Sequence, residues 1–398
     1  MSGEPIYYDP WDYKIDDNPY ELFKRLRDEA PIWHNDRYDF WVLSRYEDLI
    51  KASLDTETYS SRWGTVLDQM SEEPSSLGTI IYEDPPYHDQ LRGAVASHFS
   101  PANISKLGDE IREIVVGYLE PLEGRSEFDF VEDFCRWVPM DVISVLLGVP
   151  EEERKQINDW GNDVLHRDEG QDGPGPAQIE AMQKSSEYFT NLINLRRENP
   201  QDDLASLIAT GKLKDEEGER PLTQKEAIEM AMTVGLAGNE TAARLLASFC
   251  WLLAKHPEQR QMLRDDPRLI PRAIEEVLRF EPPSPVQFRR VMKDVELHGT
   301  VVPEGSKIGL LTASANRDER QYEDAEVFNI QRKPARNVAL GYGIHSCLGA
   351  SVARLETRIA MEEVLKRIPD WDVDWDNMVR VRTSTVRGYS HVPIRITQ

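Results

Sequence analysis

One cysteine of this chain stands where a thiolate could ligate a metal. In Leu340-Gly341-Tyr342-Gly343-Ile344-His345-Ser346-Cys347-Leu348-Gly349, Cys347 lies in a glycine-bounded loop just ahead of a helical pattern. A thiolate needs electropositive, backbone-rich surroundings, and a helix N-terminus supplies them. Gly341 and Gly343 can take positive φ or let the backbone lie against a flat group; Gly349 omits a Cβ where the helix begins. Zinc would call for further Cys or His at pair spacing, and Cys135, Cys250 and Cys347 form no Cys-x-x-Cys. Ser346 takes the place of the third glycine of a dinucleotide fingerprint, so that motif fails. A Cys347–His345 nucleophile pair, as in a hydrolase, leaves Gly349 and the helix after it without a purpose. The bland alternative is a cysteine that merely fills space.

Other groups carry weight only in combination. Glu276 and Arg279 are three apart and share a helical face, a spacing common and weak on surfaces. The segment Gly235-Leu236-Ala237-Gly238-Asn239-Glu240-Thr241 sets two glycines inside a long helix. Each costs about 1 kcal/mol relative to alanine there, so each needs a reason. Close helix packing is one; the other is a local break in the helical bonding that makes room for a small ligand and water. His88 and Arg92, at i and i+4, share a face of a helix opened by Pro85-Pro86.

Taken in order, these segments resemble the cytochrome P450 family. Gly-x-Gly-x-His-x-Cys-x-Gly is similar to its cysteine-ligand loop, which implies haem b with Cys347 as the proximal thiolate and Gly349 and Ala237 against the cofactor. Glu276 and Arg279 resemble the family's Glu-x-x-Arg pair and Arg332 its later arginine, a structural triad behind the haem. Ala237-Gly238-Asn239-Glu240-Thr241 resembles the oxygen-activation motif. The resemblance implies that Thr241 hydrogen-bonds bound O2 and that Glu240 relays protons from solvent. His88, Arg92, His345 and Arg289 match propionate-binding positions, with Arg290 an equal competitor to Arg289. Three positions depart from the family's habit: Ala242 for a second Thr or Ser, Leu340 for Phe, and Asn337 for His.

The implied fold is mainly α with small β-sheets, one integrated domain over residues 1–398. The implied enzyme is a haem-thiolate monooxygenase. It would insert one atom of O2 into a C–H bond, or epoxidise, with electrons from a ferredoxin and its reductase. Substrate walls would come from Ser61–Ile81, Val234–Ala237, Pro283–Phe288 and Thr383–Val386. Trp63, Leu236, Val286 and Val386 are apolar and Gln287 polar, which suits a hydrophobic small molecule: terpenoid, steroid, fatty acid or aromatic. Each of these residues has a place in a buried core as its alternative. A peroxygenase using H2O2 would keep the fold, but such members tend to lack the acid–alcohol pair that Glu240–Thr241 provides.

The elements that position these groups follow from patterning. Helices are expected at Tyr20–Ala30, from Pro86 to about Phe99, and at Phe130–Leu147, Glu151–His166 and Ala177–Asn199. Leu222–Lys255, Pro271–Phe280 and Ser351–Ile368 complete the set. A hairpin is expected at Ile32–Leu43, and β-rich parts at about 32–60, 291–311 and 381–396. Arg167–Pro176, rich in Asp and Gly, reads as a flexible connector or the hinge of a lid.

Bulk properties set the outer limits. A chain of 398 residues, 40% hydrophobic and 30% charged, has ample material for a soluble globular core. The longest apolar run, Ala231–Ala254, is interrupted by Asn239, Glu240 and Arg244, so no membrane anchor is expected. Three cysteines are an odd, sparse set that fits a reducing, cytoplasmic setting. A net charge of −24 argues against nucleic acid or an anionic membrane as partner. A redox partner would need a local basic patch; Arg92, Arg336, Arg354 and Arg358 could form one or be scattered surface arginines.

Overall fold

A computed structural model describes residues 5–75, 78–167, 174–216, 218–333, 335–368, 370–383 and 385–397. Six helices frame the site: α1 (Tyr87–Val95), α2 (Trp137–Leu147), α3 (Pro176–Glu198), α4 (Gln224–Lys255), α5 (Ile270–Phe280) and α6 (Ala350–Arg367). The start of α4 is set by a capping box. Thr223 Oγ1 accepts the Glu226 N–H at 3.2 Å, and the Glu226 carboxylate accepts the Thr223 N–H at 2.6 Å. Its end is set by His256 and by Pro257, which opens the next helix. From Ala242 to Leu253 every residue of α4 is buried, so this stretch is a core element on all sides.

Of the two glycines of α4, packing requires Gly235 and does not require Gly238. A Cβ at Gly235 would stand 2.6 Å from Phe189 Cζ of α3, and one at Gly238 would stand 3.4 Å from Ile143 of α2. The helix is continuous from Gln224 to Lys255, and of the two reasons offered for its glycines the close approach of Phe189 supports packing at Gly235. At Gly235 the Phe189 ring fills the space that the missing Cβ leaves.

The main sheet holds β1 (Ile32–Asn35), β2 (Phe40–Leu43), β3 (Tyr59–Ser60), β4 (Gln287–Val291) and β5 (Lys307–Leu310). The strand order is β1-β2-β5-β4-β3, with β5 parallel to β2 and the other neighbours antiparallel. A second sheet joins Glu127–Asp129, Trp371–Val373 and Pro393–Ile396, and a short hairpin pairs Val379–Arg380 with Tyr389–His391. The expected β-rich part at 32–60 also contains a helix, Tyr46–Leu54. Phe130–Leu147 is likewise a π-turn, Val131–Cys135, followed by α2 rather than one helix. The helix after Pro86 ends at Val95; Ser100 then caps a new turn at Pro101–Ile104. Of the expected hinge loop, residues 168–173 lie outside the described ones. Among the described residues no helix is long and apolar enough to cross a membrane.

Behind the site, α5 presents Glu276 to two arginines. Arg279 donates from two nitrogens to its two oxygens at 2.8 Å each. Arg332 Nε lies 3.2 and 3.1 Å from the same oxygens, and the Asn329 N–H donates at 2.9 Å. Glu276 and Arg279 are fully buried, so removing the carboxylate strands a guanidinium in low dielectric. Glu276→Ala is expected to cost about 3–5 kcal/mol of unfolding free energy, read by urea denaturation; a loss below about 1 kcal/mol would contradict this account.

Candidate active site

The Cys347 loop is shaped by backbone approach. Gly341 and Gly343 have φ of +73° and +69°. Their added Cβ atoms would stand 2.8 Å from the His345 carbonyl oxygen and 2.5 Å from that of Ser53. The Cys347 N–H closes the loop on the Leu340 carbonyl at 2.7 Å. Gly349 then caps α6, and its N–H faces the sulfur. Burial pushes the Cys347 thiol up, while this N–H, Arg92 and Arg354 pull it down. Solvent can still touch Cys347, whereas Cys135 and Cys250 are sealed in the core.

Four cationic or polar groups converge beside that loop. The His88 and His345 rings meet edge to face with centroids 4.7 Å apart. Burial pushes the His345 pKa down to about 2, helped by the nearby Arg289, His88 and Arg92. Arg289 itself is buried, which lowers its pKa to about 10, and burial also lowers that of half-buried Arg92. His345 Nε2 reaches Ser61 Oγ at 3.1 Å, and the His88 Nδ1 reaches Asp89 at 2.8 Å. The His88 Nε2 is buried with no protein partner. Register separates the two competing arginines: Arg290, opposite Lys307, reaches outward to Glu72 at 3.5 Å, while Arg289 points inward.

The α4 motif carries the remaining expected groups. Ala237 is exposed although its neighbours Gly235 and Asn239 are buried. Thr241 Oγ1 donates to the Ala237 carbonyl at 3.0 Å. Glu240 is buried, and both its oxygens are taken by Arg244 at 2.7–3.0 Å. As placed, it can relay protons only after leaving that ion pair. Sequence reading passed over Arg244, although its i+4 spacing from Glu240 was the available signal. Ser61 was missed as a His345 partner, and no sequence pattern announces it.

The other expected groups divide. Leu236 is half-buried against Gly161, and Trp63 is half-buried. The Gln287 amide donates to Ser284 Oγ at 2.8 Å and to Thr385 Oγ1 at 3.5 Å. Val286 packs in an apolar cluster with Tyr8, Phe23 and Phe288, and buried Val386 adjoins it across a gap of about 40 Å³. Of the four arginines that could form a basic patch, Arg92 is half-buried beside the loop, Arg336 lies over the Tyr342 ring, and Arg354 and Arg358 pair on the surface with Glu275 and Glu362 at 2.6 and 3.9 Å. A Cys347–His345 nucleophile pair is also not assembled, since His345 bonds Ser61.

Known proteins supply the deciding comparison. Residues 177–375 match the family model described as Cytochrome P450. A Mycobacterium tuberculosis protein named putative cytochrome P450 123 is 36% identical over 99% of this chain and 98% of its own. The chain belongs to the cytochrome P450 family. The vitamin D(3) 25-hydroxylase of Pseudonocardia autotrophica is 34% identical over 95% of this chain and 93% of its own. The Bacillus megaterium P450 CYP109E1, solved with testosterone, superposes with a TM-score of 0.87 at 28% identity, covering 97% of this chain and 99% of that one. The chain is therefore a P450 monooxygenase with haem as cofactor, which requires O2, a redox partner and a hydrophobic substrate.

The residues present fit that cofactor. Arg92 and Arg289 make no ion pair among the described residues, and the His88 Nε2 lacks a partner; together with His345 they form a donor set matched to two propionates. A Cβ at Gly349 would meet no protein atom within 4 Å, so protein packing alone does not demand glycine there. Arg289→Ala is expected to speed haem loss to apomyoglobin roughly tenfold or more, given the worth of a charged hydrogen bond. Arg290→Ala is expected to leave that rate unchanged, and equal effects of the two would refute the assignment.

Proposed function

We propose that this P450 transfers one oxygen atom of O2 to a C–H bond or double bond of a bulky apolar molecule, with Cys347 as the proximal thiolate. Haem, when bound, supplies O2 activation and oxygen transfer, and the chain supplies its environment. Cys347 would hold the iron through its sulfur, which the Gly349 N–H tempers. His88, Arg92, Arg289 and His345 hold the propionates, and Ala237 and Gly349 allow the flat faces to come close. Thr241 and Glu240 handle protons: the Thr241 hydroxyl, now on the Ala237 carbonyl, turns to O2 and is resupplied through Glu240.

Trp63, Leu236, Val286 and Val386 line or back the substrate site, with the Gln287 amide as an orienting polar group. The vitamin D(3) hydroxylase relative and the testosterone-bound neighbour favour a steroid or terpenoid among the apolar classes. Electrons come from a ferredoxin and its reductase, in the cytoplasm.

The observation that carries this reading is the Cys347 loop beside Arg92 and Arg289, two arginines that make no ion pair among the described residues, and the unpartnered His88 Nε2. Two measurements test it. The reduced, carbon monoxide-treated wild type is expected to show a strongly red-shifted Soret band that Cys347→Ala loses; a band typical of histidine ligation would sink the assignment. With Thr241→Ala, peroxide release per electron is expected to rise at the expense of product. Unchanged coupling would remove Thr241 from the proton path.

A further inference from the structure

Glu240 and Thr241 are adjacent in α4, yet their side chains are tied to different partners. Arg244 forks onto Glu240: its Nε lies 3.0 Å from Oε2, and one terminal nitrogen lies 2.9 and 2.7 Å from Oε1 and Oε2. Both residues are only 5% exposed, so solvent does little to weaken the pair. The remaining terminal nitrogen of Arg244 donates to the Tyr389 carbonyl. Tyr389 opens the strand Tyr389–His391 of the C-terminal hairpin.

That hairpin is cut to receive the arginine. A Cβ added at Gly388 would stand 2.9 Å from both Cβ and Cδ of Arg244. The Tyr389 ring packs edge to face on Trp251 of α4, centroids 6.1 Å apart, and Arg380 stacks over it at 4.3 Å. The acid of the oxygen-activation motif is thus clamped between its own helix and a strand more than a hundred residues away (|i−j| of 145 for the Arg244–Tyr389 bond).

A carboxylate bonded at both oxygens by one guanidinium is fixed in place. To take a proton from solvent it has to leave the fork. We propose that Arg244 is a positioning residue for the Glu240–Thr241 pair, and that the hairpin at Gly388–Tyr389 decides how firmly Glu240 is held. The inference rests on the assignment of Glu240 to proton delivery. A solvent proton adds to one carboxylate oxygen of Glu240, then passes to the Thr241 oxygen as the Thr241 hydroxyl proton leaves toward O2. Arg244 keeps its bond to the Tyr389 carbonyl while Glu240 is away.

The test uses the haem-loaded enzyme reducing O2 without added substrate, with electrons from a plant ferredoxin and its reductase. The readouts are the solvent deuterium isotope effect on electron consumption, the split between peroxide and water, and amide exchange in the resting protein. Arg244→Lys keeps the charge but loses the fork; Gly388→Ala displaces the arginine without touching either partner. Both are expected to drive the isotope effect toward unity, raise the share of water and speed amide exchange at Val381 and Tyr389. Isotope effects equal to or above wild type in both variants would overturn the inference. If Glu240→Gln still changes the isotope effect, the role of Glu240 survives that outcome. If Glu240→Gln changes nothing, the proton-delivery assignment and the inference fall together.

Discussion

The carboxylate of Glu276 is the interaction on which the site depends. It is shared by Arg279 and Arg332, and Arg279 passes the constraint on by donating to the carbonyls of Asn316 and Ala325 at 2.9 and 2.8 Å. The Asn316 side chain accepts the Val338 N–H at 2.8 Å, two residues before Leu340, whose carbonyl holds the Cys347 N–H. A continuous series of hydrogen bonds therefore runs from one buried charge to the sulfur-bearing loop. Leaving any buried charge in it unpaired is expensive, so the series has a single low-energy arrangement. That is a physical reason for a rigid thiolate on a loop that is otherwise irregular.

The second constraint is the distribution of charge. The chain carries −24 overall, yet the space beside Cys347 is bordered by Arg92, Arg289 and two histidines with no carboxylate bonded to either arginine. Burial and the neighbouring cations hold His345 neutral, and burial alone weakens the proton affinity of Arg289. Such a cluster is costly by itself and becomes favourable when an anionic group enters it. The acidic surface and the cationic interior have different tasks: the first solvates the protein, while the second binds carboxylates.

The third is the course of α4. Gly235 lets α3 press against this helix through Phe189, and the packing fixes its rotation about its own axis. That rotation carries Thr241 to one side and Glu240 to another. The acid then meets Arg244 and the C-terminal hairpin, so the final strands of the chain reach back to the chemistry of its central helix.

Much of this was legible in the residues alone. The Cys347 loop, the Glu276–Arg279 spacing, the α4 motif and the His88/Arg92 face depend on short-range geometry. Helical and turn periodicities dictate that geometry wherever the segments lie. For the same reason the helices at Tyr20–Glu29, α3, α4, α5 and α6 fall within a residue or two of their patterns, and the Ile32–Leu43 hairpin forms as patterned. What the tertiary structure decided were contacts between distant segments. It turned Arg289 inward and Arg290 outward through strand register, gave His345 to Ser61, set Arg92 half-buried beside the Cys347 loop and clamped Arg244 on Tyr389. It also assigned Gly235 of α4 to packing against Phe189. Local sequence sets which groups share a face, because φ and ψ repeat. Which distant group meets that face depends on how the hydrophobic surfaces of the whole chain are buried together, and no single segment contains that information.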